Sequence, residues 1–577
     1  MYVKQFQFVY KDLMTLKNEL SKIRQWCASS ITSGIVFHIY TETIDRELIS
    51  HICSEIKLEL PAAQYLGCST NGNIVHGELS ESAVCIICTI FEYPSSKIEI
   101  MQYQLTAQTE KDVMEDLLRK LRERPWVKAV ELLTTIRGMS MTGFCDELGK
   151  ADRDIQIFGG GAFSPDINDI HACVFSSSGE ISDNAVVFML VGGDDFYIIS
   201  TYIAGWKPLG KTFHVTKSEG SLLKTLDDQP AYEVYNRYLN IENNKHFFYN
   251  TLEFPFFYRH NGIEILRAPI ACLEDGTLVM TSDIEENVIA RLAYGDPGTI
   301  LESVSNEGRV IRDFCPEVIH IFSCAARRTF WGNAEVSKES LPFGRIAPTS
   351  GFYTSGEFLR TDGFVNQHNV TMVIVGMREG DMQSKNTAEF KTADESLTGK
   401  VSLISRLASY INAAFDELEQ AAVTDSMTKL LNRGEMQRRI NEQLLSGNVF
   451  SLVMLDIDNF KRVNDTFGHS EGDNVILGVA DLFRKGMPLH NAEASAGRWG
   501  GEEFMLLLPF DVRYAKLAAA DILKGFNAID FPKAGHQTVS AGITQVRDDD
   551  TIDTLLVRVD KALYEAKKTG KNRFVVF

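Results

Sequence analysis

Long apolar runs are missing from this sequence. No stretch reaches the roughly 18 residues that a membrane-spanning helix requires, and the longest candidates, such as AVVFMLVGG from Ala185, read as buried strands. The N-terminus, MYVKQFQFVYKDLM, lacks the basic start and apolar core of a signal peptide. Together these absences predict a cytoplasmic protein. A basic excess is missing too: the formal net charge is -19 and the pI about 5.2. That argues against nucleic acid or an anionic membrane surface as an electrostatic partner. A polyanionic substrate would need local metal ions or lysines. No cysteine follows Cys324. The one tight pair, Cys85 and Cys88, sits in a strand-like run with no second pair at zinc-site spacing, which predicts buried core thiols. No repeat of fixed period is found.

What is present suits several folded units. At roughly 150 residues per domain, 577 residues suggest three or four, and 44% hydrophobic with 23% charged residues is an ordinary globular balance. From Gly34 to Gly380, strand-like runs (GIVFHIY, AVCIICTIF, EVIHIFSC, VTMVIVGM) alternate with helical stretches and glycine turns. The fold class is therefore α/β. A polar patch follows, and Thr392 to Glu395 has the form of a capping box opening a helix. Leu397, Ile404, Ile411 and Leu418 then recur every seven residues, with Leu407, Ala414 and Ala421 between them. Two readings are open: a parallel dimeric helix, or a single amphipathic helix packed on its own neighbour, which Lys400 in the seam favours. The helix should end near Val423.

Four clusters lie beyond it. TDSMTKLLNR holds Asp425 and Thr428, which read as capping chemistry opening a helix, with Asn432 and Arg433 at its end. FSLVMLDIDNFKRVNDTFGHSEGD is a buried strand ending in Asp456 and Asp458. A carboxylate there is costly unless something cationic meets it, and magnesium is a hard ion that takes such oxygens; the alternative for one Asp is a helix cap. Asn464 can present a donor and an acceptor to a base edge, and Asp473 can accept from guanine amino groups. In GRWGGEEF, Gly500 and Gly501 permit positive φ and close approach of a ligand; alone, such a hairpin is mostly a turn. VDKALYEAKKTGKNRF reads as a helix with Leu556, Val559 and Leu563 on one face, Lys567 and Lys568 in its last turn, and Gly570 as its stop. Lysines there suit either the helix dipole or phosphates.

These motifs, with SAGIT at Ser540 to Thr544, resemble in type and order the GGDEF domain of diguanylate cyclases over about residues 423 to 577. The resemblance implies a palm-like nucleotidyl-cyclase fold with a central antiparallel sheet, and condensation of two GTP to cyclic di-GMP with release of pyrophosphate. It implies Asp456, Glu502 and the carbonyl of Ile457 as ligands of Mg2+ or Mn2+, two ions per active site. Glu502 would help deprotonate the attacking 3′-hydroxyl, and Lys461 would serve the chemistry at the phosphates. Asn464 and Asp473 would read guanine, with His469 as a further substrate contact. Lys567 and Lys571 would hold phosphates, Lys571 standing where Arg is common and losing the bidentate fork. One domain holds one GTP, so a homodimer through the linker helix and cyclase domains is implied. A departure concerns the Arg-x-x-Asp product site: Asn491 and Ala494 occupy its positions, which predicts weak feedback inhibition.

The N-terminal region resembles FIST domains, on YLGCSTNGNI, IFGGGAFSP, GWKPLGKTFHVTKSEG, PAYEVYNRYL, IFSCAARR and GFYTSGEF. That implies sensing of a small molecule, such as an amino acid. Arg327 and Glu357 are nominated as ligand contacts, with salt-bridge roles equally open. The expected division is 1–204 and 205–385 for two FIST segments, 386–422 for the linker and 423–577 for the cyclase. The rival to an enzyme is a silent GTP-binding module. FGGGAF as a phosphate cradle ranks below both, since it lacks the Gly-Lys-Ser/Thr ending of a P-loop.

Overall fold

The computed structural model describes residues 3–135, 140–164, 171–381, 390, 403–484 and 494–577. They form two compact units, Met1–Asn412 and Ala413–Phe577.

Three six-stranded mixed sheets build most of the first unit. One runs in the order Val3–Val9, Val84–Phe91, Gly34–Thr41, Gln64–Ser69, Val174–Ser176, Gly179–Ser182. The second is centred on Gln156–Gly161, Val127–Thr134 and Ala185–Gly192, the third on Met372–Glu379, Val318–Cys324 and Thr349–Thr354. Each contains one parallel pair, for example Gly34–Thr41 with Gln64–Ser69. Parallel strands are covered on both faces, which is why GIVFHIY and VIHIFSC are apolar almost throughout. Tyr40, Phe158, Val187, Phe322 and Phe352 from all three sheets meet in one core.

The glycines of FGGGAF serve packing. Gly159 has φ +154°, and a Cβ there would lie 1.9 Å from the carbonyl oxygen of Leu132 on the paired strand. Glu357–Thr361 pairs with the same glycine strand, and Asn73–Val75 pairs with Thr349–Thr354. The two sequence halves of this unit thus share two sheets. A fourth sheet, around Trp206–Glu219 and Ile289–Gly295, belongs to the C-terminal half alone. Cys85 and Cys88 are buried free thiols, Cys85 pushed by burial up to about 11.

The helix Leu403–Val423 decides where its apolar seam faces. In its first half, Ser405 and Ala408 are buried, and the Asn412 amide accepts from the Gly210 N–H at 2.7 Å and donates to the Pro208 carbonyl at 3.2 Å. Ile404 and Leu407, at 52% and 53% exposure, point away from that packing, and Leu418 is exposed in the second half. The packed face is therefore the small and polar one. Leu397, Lys400 and the Thr392 to Glu395 box lie outside the described residues.

The second unit has a five-stranded sheet in the order Ser495–Arg498, Glu503–Leu508, Ser451–Ile457, Val539–Gln545, Phe574–Val576, antiparallel except for the last pair. Alternation along the central strand sorts its side chains. Val453, Leu455 and Ile457 pack under His469–Arg484 and Val512–Asn527, while Leu452 and Met454 pack under Arg433–Ser446 and Ile552–Lys568. Period two puts Asp456 on the second face. The expectation for residues 425 to 433 needs correcting: Asp425 caps a turn, accepting from the Thr428 N–H and hydroxyl at 2.8 and 2.7 Å, and no helix follows it. Asn432 instead opens the helix Arg433–Ser446, its Oδ1 accepting from the Glu435 N–H at 3.0 Å.

Candidate active site

Asp456 ends the central strand almost wholly buried. Directly across its strand pair is Glu503, and the Ile457 N–H donates to the Glu502 carbonyl at 3.3 Å. The acidic turn is thus tied to the Asp456 strand end. The helix Ile552–Lys568 reaches the same place because it lies unusually close to the sheet. A Cβ on Gly542 would come within 2.3 Å of the Val559 carbonyl oxygen and 2.4 Å of the Leu563 nitrogen. Its last turn then delivers Lys567, whose Nζ sits 2.6 Å from Asp456 Oδ2. Burial pushes the Asp456 carboxyl up to about 6; Lys567 opposes this, and the charges of Glu502 and Glu503 add to it. One ammonium does not offset three carboxylates. This donor set, hard oxygens in excess around a buried acid, matches a divalent cation.

The hairpin is built without positive φ at Gly500 or Gly501, contrary to expectation. Its closure comes from Trp499 and Gly500 N–H groups donating to the Glu503 carbonyl at 2.8 and 3.2 Å. Arg498 clamps it further, donating to the carbonyls of Gly500 and Gly501 and to Asp425. Space is the property left to Gly501: a Cβ there would meet nothing within 4 Å, so a side chain would project into open space. Gly501→Ala should leave the melting temperature unchanged and, on the nucleotide-binding reading of this turn, lower activity roughly tenfold or more through misplacement of the bound reactant. Gly542→Ala should do the reverse in kind, costing roughly 3 kcal/mol of stability by overpacking. Thermal melts beside initial rates separate the two; equal destabilisation by both would remove the ligand reading of Gly501.

Asp458, paired with Asp456 in the sequence reading as a strand-end acid, has a different task. Its carboxylate accepts from the hydroxyls of Thr538 and Ser540 at 2.7 Å each and from the Asn572 N–H at 3.0 Å. It caps no helix and is spoken for by the neighbouring strand and the C-terminal loop. Lys571 donates to Asn459 Oδ1 at 2.5 Å, both residues having positive φ. Lys461 is exposed on the first turn of Phe460–Phe467. On that helix Asn464 is half-buried against Gly472, where a Cβ would lie 2.0 Å from its Oδ1. Asp473 follows directly and His469 is one turn before it, both exposed. Glu471, which the sequence reading passed over, accepts from the N–H groups of Lys533 and Ala534 at 3.0 Å and pins the small Asp530 to His536 hairpin. Asn491 lies outside the described residues; Ala494 is half-buried.

The model of the family described as "Diguanylate cyclase, GGDEF domain" matches residues 422–573. Residues 422–573 form a GGDEF domain. The FIST N domain matches 34–229 and the FIST C domain 231–360. Similar curated proteins include diguanylate cyclase DgcM of Escherichia coli, 38% identical over 172 residues, 27% of this chain and 39% of that protein. Diguanylate cyclase DgcP of Pseudomonas aeruginosa is 33% identical over 202 residues, 34% of this chain and 30% of that protein. The chain spans about two fifths or less of the length of these two relatives. The GGDEF domain of DgcB from Caulobacter crescentus, solved with c-di-GMP, is 30% identical, covers 27% of this chain and 95% of its own, and has a TM-score of 0.25.

In the FIST region the two nominated contacts prove to be core groups. Arg327 is fully buried; Nε and Nη2 donate to Glu339 at 2.9 and 2.6 Å, and Nη1 donates to the carbonyls of Ile203, Ala204 and Val370. Its guanidinium also lies 5.1 Å over Trp206. Glu357 is fully buried and accepts from the hydroxyls of Thr354 and Thr371; burial pushes it up to about 8, so it is largely neutral at pH 7. Neither side chain has solvent-exposed surface. Among the described residues, no helix is long and apolar enough to cross a membrane.

Proposed function

We propose that this chain is a diguanylate cyclase that joins two GTP into cyclic di-GMP and pyrophosphate. The observation that carries the reading is Asp456, buried beside Glu502 and Glu503 at the mouth of an open glycine turn and met by Lys567. Asp456, Glu502 and the Ile457 carbonyl would hold Mg2+ or Mn2+, two ions to a site, supplying charge neutralisation at the phosphates. Lys567, which lies against Asp456, would serve the phosphates together with Lys461 and Lys571. Asn464 and Asp473 would hold the guanine edge, and His469 the substrate beside them. Glu502 would accept the proton of the 3′-hydroxyl. In phosphoryl transfer the protein's share is mainly positioning and electrostatics.

Each domain would hold one GTP, so two copies must present their sites to each other. The exposed seam of Ile404, Leu407, Ile411 and Leu418 supports a dimer formed along that helix. The FIST region would bias this geometry on taking up a small molecule, through contacts other than Arg327 and Glu357. The deciding experiment is production of cyclic di-GMP from GTP and Mg2+ by the purified full chain. If it is silent, an artificially dimerised 392–577 fragment is assayed. Activity of the fragment alone means the sensory region holds the enzyme off, whereas silence of both leaves a GTP-binding module.

Product feedback is expected to be weak. Ala494 offers a methyl where a carboxylate would receive guanine, and Asn491 has no guanidinium. Initial rates should change less than twofold when cyclic di-GMP is added at the start; a steep fall would require a product site elsewhere.

A further inference from the structure

In the middle of the sensory unit's largest apolar core stand three polar side chains. His38 on Gly34–Thr41, Glu131 on Val127–Thr134 and His320 on Val318–Cys324 come from the three different sheets, and all are essentially inaccessible. Each takes a place that the alternation of its strand gives to the core. Val36 and Tyr40 flank His38, Ala129 and Leu133 flank Glu131, and Val318 and Phe322 flank His320, and all six belong to one apolar cluster. The ligand-type atoms of the three side chains lie within 4.8 Å of one another. His38 Nε2 is 3.1 Å from Glu131 Oε2, and the two imidazole rings meet edge to face at 4.8 Å.

The hydrogen bonding around this cluster is incomplete. Gln5 Nε2 touches His320 Nε2 at 3.2 Å and donates to Thr89. His38 Nδ1, Glu131 Oε1 and His320 Nδ1 are buried without a partner. So are Tyr40 Oη, on the same face of its strand as His38, and Ser350 Oγ, whose residue pairs in register with His320. Five polar atoms buried in this core without a partner are expensive, because each forfeits its hydration. A His–Glu ion pair alone would satisfy two atoms and leave these five.

We propose that His38, Glu131 and His320 form a binding site for one divalent first-row transition ion of the Zn2+ or Fe2+ class. Two imidazoles and one carboxylate are a donor set for these ions, and they leave at least one position for water or a small ligand. At metal–ligand distances of about 2.1 Å, neighbouring ligand atoms stand about 3 to 3.5 Å apart. The His38–Glu131 pair already has that separation, and a small turn of the His320 ring brings in the third donor. Tyr40 and Ser350 then supply hydroxyls near the open position. An ion here would tie three sheets together at a single point, and its loading would be a state of the sensory unit independent of the cyclase chemistry.

The test uses the full-length protein, stripped with a chelator and titrated with Zn2+ or Co2+ in the absence of nucleotide. With Glu502→Gln as the background, which weakens the carboxylate site of the GGDEF domain, uptake of one equivalent is expected, with X-ray absorption showing two imidazole ligands. Added to that background, His320→Gln and Glu131→Gln should each weaken the uptake at least ~10-fold. The proposal is overturned if the stripped Glu502→Gln protein binds no more metal than its double variant with His320→Gln, or if the bound metal has fewer than two imidazoles. Should either double variant fail to fold, the imidazole count on the Glu502→Gln protein decides by itself.

Discussion

Glu502→Gln is expected to cut the proposed cyclic di-GMP synthesis at least a hundredfold while leaving the fold intact. The substitution keeps size and polarity and removes only the charge and the basicity. Nothing structural depends on either: the bond that ties this turn to the central strand is the Glu502 carbonyl accepting from Ile457, a main-chain contact that Gln retains. The clamp on the turn belongs to Arg498 and its closure to the Glu503 carbonyl. On the proposed function, the substitution would remove one cation ligand and the group that takes the 3′-hydroxyl proton. General-base catalysis is worth about 10²- to 10⁴-fold, so kcat should fall at least a hundredfold with little change in melting temperature. Quantifying product by chromatography beside a thermal melt checks both halves. Retained turnover would move the base to another residue and undo the assignment of Glu502.

The same contrast between charge and main chain explains which parts of the site were legible in the sequence. Asp456 could be singled out because a carboxylate closing five apolar residues has no cheap structural excuse. Asp458 has the identical sequence signal and a purely structural role, since its donors, Thr538, Ser540 and Asn572, are about 80 or more residues away and only strand pairing brings them near. Lys567 was legible as a helix-terminal cation. Its approach to Asp456 was not, because that depends on Gly542 letting a helix sit within backbone contact of the sheet. Gly500 and Gly501 were singled out for a positive φ that the turn does not use, and what the structure shows at Gly501 is open space instead. In the Met1–Asn412 unit, the α/β alternation was readable from strand composition. The sharing of two sheets between its sequence halves was not, because antiparallel pairings between strands so far apart in sequence leave no local trace. His38, Glu131 and His320 were visible only as single polar letters inside apolar strands, a signal that burial and convergence alone turn into a cluster.

Arg327→Met is expected to destabilise the Met1–Asn412 unit by about 3–5 kcal/mol. The methionine fills most of the volume, so a cavity is not the main cause. The cost falls on what remains: Glu339, 1% exposed, loses its bidentate partner and keeps only the Trp331 Nε1–H at 2.6 Å, while the carbonyls of Ile203, Ala204 and Val370 lose a shared donor. A buried carboxylate stripped of its cation is the expensive state, and the pair itself contributes far less than its removal costs. The double variant Arg327→Met with Glu339→Leu should therefore recover most of the loss, by removing the stranded charge. Urea unfolding followed through tryptophan fluorescence gives the comparison, since Trp206 and Trp331 both border the ion pair. If the single variant were as stable as wild type, the guanidinium could not be holding these five contacts, and Arg327 would return as a contact for the sensed molecule. If the double variant were as unstable as the single one, the carbonyls rather than the charge would account for the loss.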